Sequence, residues 1–269
     1  MPRTSAGGRR SQKLPSYRAV LVVDAKGFSD RPSIEQSQTN EEIVRTLEAA
    51  FSRARLTAAW EDRRFPAHTG DGYVLGLPAE HMPFLLHPLL DALQTELELQ
   101  NQRRGQRAPL RLRASLNVGP LPDAGEPADG VGRPMTETHR LLDSEAARRA
   151  LRVADERLTL LAAVISQRVY EDVVEGGYCA LLPSQFAVVE AASKNFTQRA
   201  YLHVPRPSGE VLASGLAEPA DSPTAAAPGL PPAGSTFVVH RSEGQVIQAH
   251  QIDAIHLPGR RPEGGERDR

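Results

Sequence analysis

The stretch His68-Thr-Gly-Asp-Gly-Tyr-Val-Leu-Gly-Leu-Pro78, HTGDGYVLGLP, decides how the rest of the chain is interpreted. Its Gly-Asp-Gly, residues 70–72, is a turn signal, and the residues after it have strand character. The apolar LTAAW, residues 56–60, is predicted to be the opposite strand, with EDRRFPAHT, residues 61–69, as an extended hairpin tip or loop. Asp71 therefore either forms a simple tight turn or lies on a hairpin that presents its carboxylate to a ligand.

A second carboxylate follows a strand nearer the N-terminus. YRAVLVVDAKGFSD, residues 17–30, is a valine-rich, buried type of strand that ends at Asp24. If the two strands are neighbours, Asp24 and Asp71 meet at one edge of the sheet, where two carboxylates repel unless a cation lies between them. Such a pair suits Mg²⁺, which proteins often hold with one or two carboxylates and substrate phosphates. The loop AKGFS, residues 25–29, offers backbone N–H groups to those phosphates.

The remaining elements interleave helices and strands. A helix follows the first strand, and Thr39 and Glu42 in it have the spacing of a capping box. Further helices are predicted in 78–102, with breaks near Pro83 and Pro88, and in 135–153; further strands are predicted at 110–118, 158–166, 186–192 and 199–205. We predict an α+β fold of the ferredoxin-like, palm type: a mixed, mostly antiparallel sheet covered by helices. With no GxGxxG after the first strand and no Walker lysine, Rossmann and P-loop folds are weakly supported.

Composition divides the chain into an ordered domain and flexible flanks. We predict a flexible arm (1–16), the domain (17–204), a Pro/Ala/Gly-rich disordered linker (205–235), a short β-prone tail (236–258) and a disordered end (259–269). The chain has 269 residues, one cysteine and a formal net charge of −1. These values favour a cytoplasmic protein without a disulfide framework, and they give no indication of binding to membranes or nucleic acids.

The ordered set of motifs resembles the class III nucleotidyl cyclase homology domain, in a divergent, actinobacterial form. The resemblance covers residues 17 to about 204. It is carried by VVDAKGFSD (22–30), HTGDGYVL (68–75), LRLRASLNVGP (110–120), DGVGRPMTETHRLLD (129–143) and SKNFTQRAYLHVP (193–205). No single motif is specific, but five in the same order and at fitting spacing are hard to reach by chance.

The resemblance implies roles for individual positions. Asp24 and Asp71 would bind two Mg²⁺ or Mn²⁺ ions, and Arg140 and Thr136 would occupy the transition-state positions on a helix. Substrate would be bound by Asp129 at the nucleobase, by Lys194 at the triphosphate, and by the loop residues Ala25, Lys26, Gly27 and Phe28. The family's active sites lie between two protomers, so the resemblance also implies a homodimer with shared sites.

Two positions depart from the family's pattern. Thr136 stands where the family usually has asparagine; its hydroxyl can still bond a ribose oxygen but lacks the paired donors of an amide. Ala67 stands where a base-recognising lysine is usual, and Arg63, Arg64 or His68 are possible substitutes. The nucleobase therefore stays open between ATP, GTP and a pyrimidine nucleotide.

Two functions follow from the sequence. The first is a nucleotidyl cyclase, a phosphorus–oxygen lyase that converts a nucleoside triphosphate to a 3′,5′-cyclic nucleotide and pyrophosphate in signalling or bacterial conflict. The alternative is a catalytically silent, cyclase-like module that binds nucleotide or dimerises and recruits a protein partner through residues 236–258. Asp24, Asp71 and the downstream series favour the first, whereas Thr136 and Ala67 favour the second.

Overall fold

The computed structural model describes residues 11–105, 107–193 and 196–213. Seven strands in these ranges form one sheet, in the order β2-β3-β1-β4-β5-β7-β6. The strands are β1 (Tyr17–Ala25), β2 (Arg64–His68), β3 (Gly72–Pro78), β4 (Leu112–Pro120), β5 (Leu161–Ser166), β6 (Ala187–Ser193) and β7 (Phe196–His203). Only the β4–β5 pair is parallel among these strands; the other neighbouring pairs are antiparallel. The predicted α+β class with a mixed, mostly antiparallel sheet is confirmed.

Helices cover both faces of this sheet. They are α1 (Ser33–Arg53), α2 (Thr57–Glu61), α3 (Met82–Phe84), α4 (Leu90–Arg104), α5 (Arg133–Leu142), α6 (Glu145–Val153), α7 (Gln167–Val169) and α8 (Glu210–Ala213). The helical region before α4 breaks at His87, whose backbone is extended (φ −149°, ψ 123°), as the neighbouring Pro88 led us to expect. None of the described helices has the length and apolar content needed to cross a membrane.

Strand β1 is buried on both faces, which explains its unbroken apolar sequence. Ala19, Leu21 and Val23 belong to the large core cluster that includes α1 and α4 side chains, whereas Val20 and Val22 pack with Leu142 of α5. Strand residues alternate between faces, so Asp24 falls on the α5 face. Because β1 lies between β3 and β4, this carboxylate is far from the two edge strands, but it lies at the C-terminal end of its own strand.

The strand that pairs with β3 differs from the prediction. LTAAW was expected to be a strand, but residues 57–61 form α2, and Trp60 packs its ring 5.2 Å from that of Phe51. The strand is β2, in the segment predicted to be a tip or loop. A short apolar run does not distinguish helix from strand. Pro66, which removes a backbone donor, fits β2 because β2 is an edge strand.

Helix boundaries also differ from the prediction. The expected capping box at Thr39 and Glu42 is wrong, because α1 begins at Ser33 and both side chains are buried within it. Glu42 instead forms an ion pair with Arg104 of α4. The helix predicted at 135–153 is two helices, α5 and α6, because the backbone of Ser144 is extended.

The described chain continues past residue 204, where the linker was predicted to begin. Ser208 and Val211 are buried, and the Ser208 hydroxyl lies 2.7 Å from that of Thr159. The rest of the predicted linker, the tail at 236–258 and the end at 259–269 lie outside the described residues, as do residues 1–10 of the predicted arm.

Candidate functional site

In the Gly-Asp-Gly turn, both glycines are required by the backbone: one for its conformation and the other for a close approach to β1. Gly70 has φ +92°, a conformation that favours glycine. Gly72 pairs with Asp24 across β1 and β3, and a Cβ added at Gly72 would lie 1.9 Å from the Val23 carbonyl oxygen. The Asp71 carbonyl accepts the Ala25 N–H at 2.9 Å. The backbone thereby fixes Asp71 beside the end of β1 and leaves its half-buried side chain available for other contacts.

Asp24 is buried, with only 4% of its surface exposed, and it is bound by Arg113 of β4. Arg113 Nε donates to Asp24 Oδ1 at 2.8 Å, and Arg113 Nη2 donates to Asp24 Oδ2. The contact follows from register, since Asp24 and Arg113 are paired across β1 and β4. We did not anticipate Arg113 from the sequence. The alternation of LRLRASLNV places it on the face opposite Leu112 and Ala114, but only the pairing of β4 with β1 identifies its partner.

Burial raises the pKa of Asp24 to about 6. The Arg113 charge and its hydrogen bond act in the opposite direction, while the charges of Asp71 and Asp143 raise the pKa of Asp24 further. The backbone contacts of Ala25 with Asp71 and of Asp24 with Gly72 place the two aspartates side by side in the fold, as the sequence predicted. Asp143, just after α5, adds a further negative charge to their surroundings.

In the loop expected to bind phosphates, residues 25–28, several hydrogen-bond donors already have partners within the protein. The Ala25 N–H donates to Asp71, and the Lys26 N–H donates to the Arg111 carbonyl at 2.9 Å. The Lys26 ammonium donates to the Leu151 carbonyl of α6 at 3.0 Å, and burial lowers the pKa of Lys26. Gly27 has φ +68°, and Phe28 packs against the large core cluster. Substrate binding by these four residues stays a prediction.

Helix α5 carries the two residues predicted for the transition state. Thr136 and Arg140 are exposed on this helix, one turn apart, and the Thr136 hydroxyl donates to the Gly132 carbonyl at 3.4 Å. The buried side of α5 is fixed to the sheet, because the Ser115 hydroxyl of β4 donates to the Thr138 carbonyl at 2.8 Å. The helix thus presents Thr136 and Arg140 outward, away from its contact with β4.

The carboxylate of Asp129 holds the loop before α5 in place by hydrogen bonds. Its carboxylate accepts the backbone N–H groups of Ala124, Gly125 and Glu126 at 3.0, 2.7 and 3.2 Å. This arrangement corresponds to a turn-forming aspartate. A nucleobase contact would require at least part of this network to be exchanged.

The possible substitutes for the missing lysine at position 67 lie in different surroundings. Arg63 lies over the Trp60 ring, 4.2 Å from its centroid, and donates to the Trp60 carbonyl at 2.7 Å. Arg64 donates to Asp62 at 2.9 Å. His68 is exposed and contacts the Tyr73 ring edge-on. Ala67 itself is exposed, and Lys194 lies outside the described residues.

The two aspartates fit a divalent cation in their chemistry. Carboxylate oxygens are the ligands that Mg²⁺ prefers, and the negative charge of Asp71 acts on Asp24 together with the positive charge of Arg113. Within the described ranges, no cluster of three or more His, Cys, Asp or Glu side chains could hold a metal ion. An ion at Asp24 and Asp71 would therefore need additional oxygens from the backbone or from a bound phosphate.

Comparison with solved structures finds likeness in fold to adenylyl and guanylyl cyclases. No protein-family model and no curated protein matches the sequence. The guanylyl cyclase Cya2 is 16% identical, with 70% of this chain and 90% of that chain covered and a TM-score of 0.43. The adenylyl cyclase CyaB from P. aeruginosa is 11% identical, with 70% and 92% covered and a TM-score of 0.46. The guanylate cyclase domain of RhGC from Catenaria anguillulae, in complex with GTP, is 14% identical, with 73% and 100% covered and a TM-score of 0.45.

Proposed function

We propose that this protein is a nucleotidyl cyclase that converts a nucleoside triphosphate to a 3′,5′-cyclic nucleotide and pyrophosphate. The observation that carries the proposal is the placement of Asp71 beside Asp24 by a Gly-Asp-Gly turn whose glycines meet backbone requirements. A tight turn alone would not need an aspartate next to a second, buried carboxylate. The sequence resemblance supplies the reaction type, and its actinobacterial form stays a prediction.

Under this proposal each residue has a definite task. Asp24 and Asp71 would hold two Mg²⁺ or Mn²⁺ ions, which lower the pKa of an attacking hydroxyl and neutralise phosphate charge when bound. Arg140 would stabilise charge developing on the phosphate, and Thr136 would bond the ribose. Lys194 would bind the triphosphate. Asp129 would read the nucleobase if its carboxylate leaves the loop N–H groups.

The exposed position of Thr136 and Arg140 supports sites shared between two copies of the chain. Both residues lie on α5, and they are exposed, whereas Asp24 of β1 is buried and bound by Arg113 of β4. In the shared sites that the sequence resemblance implies, Arg140 and Thr136 of one protomer would lie opposite the aspartates of the other. We therefore propose a homodimer in the cytoplasm as the active form.

A silent, cyclase-like module is the second candidate. It is favoured by the Arg113 guanidinium on both oxygens of Asp24, together with Ala67 and Thr136 at positions where the family has lysine and asparagine. In that case the domain would bind nucleotide or dimerise without turnover, and residues 236–258 would recruit a partner protein.

Product analysis separates the two candidates. The purified full chain is incubated with ATP, GTP, CTP or UTP and Mg²⁺ or Mn²⁺, and cyclic nucleotides are measured by mass spectrometry. We expect one nucleotide to be cyclised, and Asp71→Asn to abolish the product. Glu80→Gln, which removes an exposed carboxylate next to the other end of β3, is the matched control and should keep activity. Absence of product from every nucleotide would favour the silent module.

A further inference from the structure

The carboxylate of Asp24 already has a cationic partner within the chain. Arg113 covers both of its oxygens, and the two side chains are only 11% and 5% exposed. A planar guanidinium that donates to both oxygens of a carboxylate is a well-matched pair. The charge of Asp24 is thus compensated without any ion.

Asp71 differs from Asp24 in this respect. Among the described residues, Asp71 has no cationic side chain within ion-pair distance, whereas Asp143 is paired with Arg148 at 2.8 Å. The remaining attraction for a cation therefore lies on the Asp71 side of the pair. An ion bound by Asp71 alone would have one protein carboxylate; an ion bound by both aspartates would lie close to the Arg113 guanidinium.

We propose that Arg113 and the divalent cation compete for Asp24, so that an ion enters the site only when Arg113 turns away. This inference rests on the proposed function, because it assumes that Asp24 and Asp71 are the metal ligands. Two cations on one carboxylate repel at short range, and the repulsion is strong where both groups are buried. A buried carboxylate without a positive partner would be strongly destabilising. If one cation replaces the other, Asp24 always has such a partner.

The competition makes Arg113 a positioning residue that sets metal affinity in the nucleotide-free protein. Replacement of Arg113 by an uncharged side chain of similar length should free Asp24 and tighten metal binding. Arg111 offers a matched control, since it is also buried and lies two residues earlier, but its Nε donates to the Thr159 carbonyl. Arg111→Met removes a buried guanidinium of the same strand region without touching Asp24.

Manganese binding without nucleotide tests the proposal independently of turnover. Free Mn²⁺ is measured by electron paramagnetic resonance at pH 8 with the full chain, Arg113→Met, Arg111→Met and the double variant Arg113→Met with Asp24→Asn. We expect the Mn²⁺ dissociation constant to fall roughly tenfold or more in Arg113→Met alone, because a competing charge is removed. An unchanged or weaker constant in Arg113→Met, an equal gain in Arg111→Met, or a gain that persists in the double variant would overturn the proposal.

The wild-type chain provides a test that does not depend on the folding of a variant. The Arg113 Nε–H resonance, assigned with Arg113→Lys, should shift saturably when Mg²⁺ is added, since the guanidinium must leave Asp24. Mg²⁺ binding detected by calorimetry with no change in this resonance would contradict the proposal. If Arg113 and the metal compete but no cyclic product forms, this inference is supported and the cyclase function is rejected. If product forms but no competition is seen, the cyclase function is supported and this inference is rejected.

Discussion

Arg113 and Asp24 lie opposite one another on the two central strands β4 and β1, and the guanidinium donates to both carboxylate oxygens. Two opposing effects meet at this pair. Burial of Asp24 favours its neutral form, whereas the Arg113 charge favours its ionised form. Burial has the larger effect on the pKa of Asp24, and the net result is a rise to about 6.

The stability of the protein as a function of pH should reveal which effect dominates. A carboxyl group whose pKa is higher in the folded state binds protons more tightly there, so its contribution to stability is lost as pH rises through the window from about 4 to 6. Relative to Asp24→Asn, the wild-type free energy of unfolding should therefore fall by about 2 kcal/mol between pH 4 and pH 7. Urea denaturation at each pH measures this difference. If Arg113 dominated, the wild type would gain stability over Asp24→Asn with rising pH.

The close approach of the Gly-Asp-Gly turn to β1 gives a second prediction. Gly72→Ala places a Cβ 1.9 Å from the Val23 carbonyl oxygen, and backbone atoms cannot yield as a flexible side chain does. We expect a loss of more than about 3 kcal/mol in the free energy of unfolding, since both strands must shift. Urea denaturation again provides the measurement.

Gly177→Ala is the matched control for Gly72→Ala. Gly177 has φ +75°, and no atom lies within 4 Å of its added Cβ, so only backbone strain opposes the change. That strain should cost about 1 kcal/mol. Equal losses in both variants would show that the contact between the turn and β1 is looser than the structure describes.

The sequence could predict the class of fold because its buried strands and amphipathic helices have clear periodicity. The valine-rich run that ends at Asp24 and the alternating LRLRASLNV both became central strands of the sheet. LTAAW was assigned to a strand incorrectly, because so short a mostly apolar run satisfies either period and the packing of Trp60 on Phe51 decides between them. Tertiary contacts therefore determined the hairpin partner.

The candidate site shows the same division between local and long-range information. The Gly-Asp-Gly turn and the strand-end Asp24 are visible in local sequence, and their meeting follows once the two strands are neighbours. Arg113 is 89 residues from Asp24 in the sequence, so only the strand register identifies it as the partner. The triple N–H contact of Asp129 depends on the path of a loop, which hydrophobic periodicity does not encode.

Complementation between inactive variants should test whether sites are shared by two protomers. Asp71→Asn and Arg140→Ala are expected to be inactive alone, since each removes one half of every site. When the two are mixed and allowed to exchange, half of the dimers are mixed and each holds one intact site, so activity should recover to about a quarter of the wild-type rate. Mass spectrometry of the cyclic product is the measurement. Mixtures that stay inactive although light scattering shows mixed dimers would place both residues in the same protomer's site.

The role of Asp129 can be decided between support of the loop and contact with a nucleobase. Its carboxylate accepts three backbone N–H groups, and hydrogen bonds to a charged acceptor each contribute about 1.5–3 kcal/mol. Asp129→Ala should therefore lower the free energy of unfolding by at least about 2 kcal/mol. Glu126→Gln, which changes an exposed carboxylate in the same loop, should leave it nearly unchanged. Asp129→Asn keeps one carbonyl acceptor for the loop. If this variant has intact stability but a reversed preference between ATP and GTP, the role of Asp129 is contact with the nucleobase and not support of the loop.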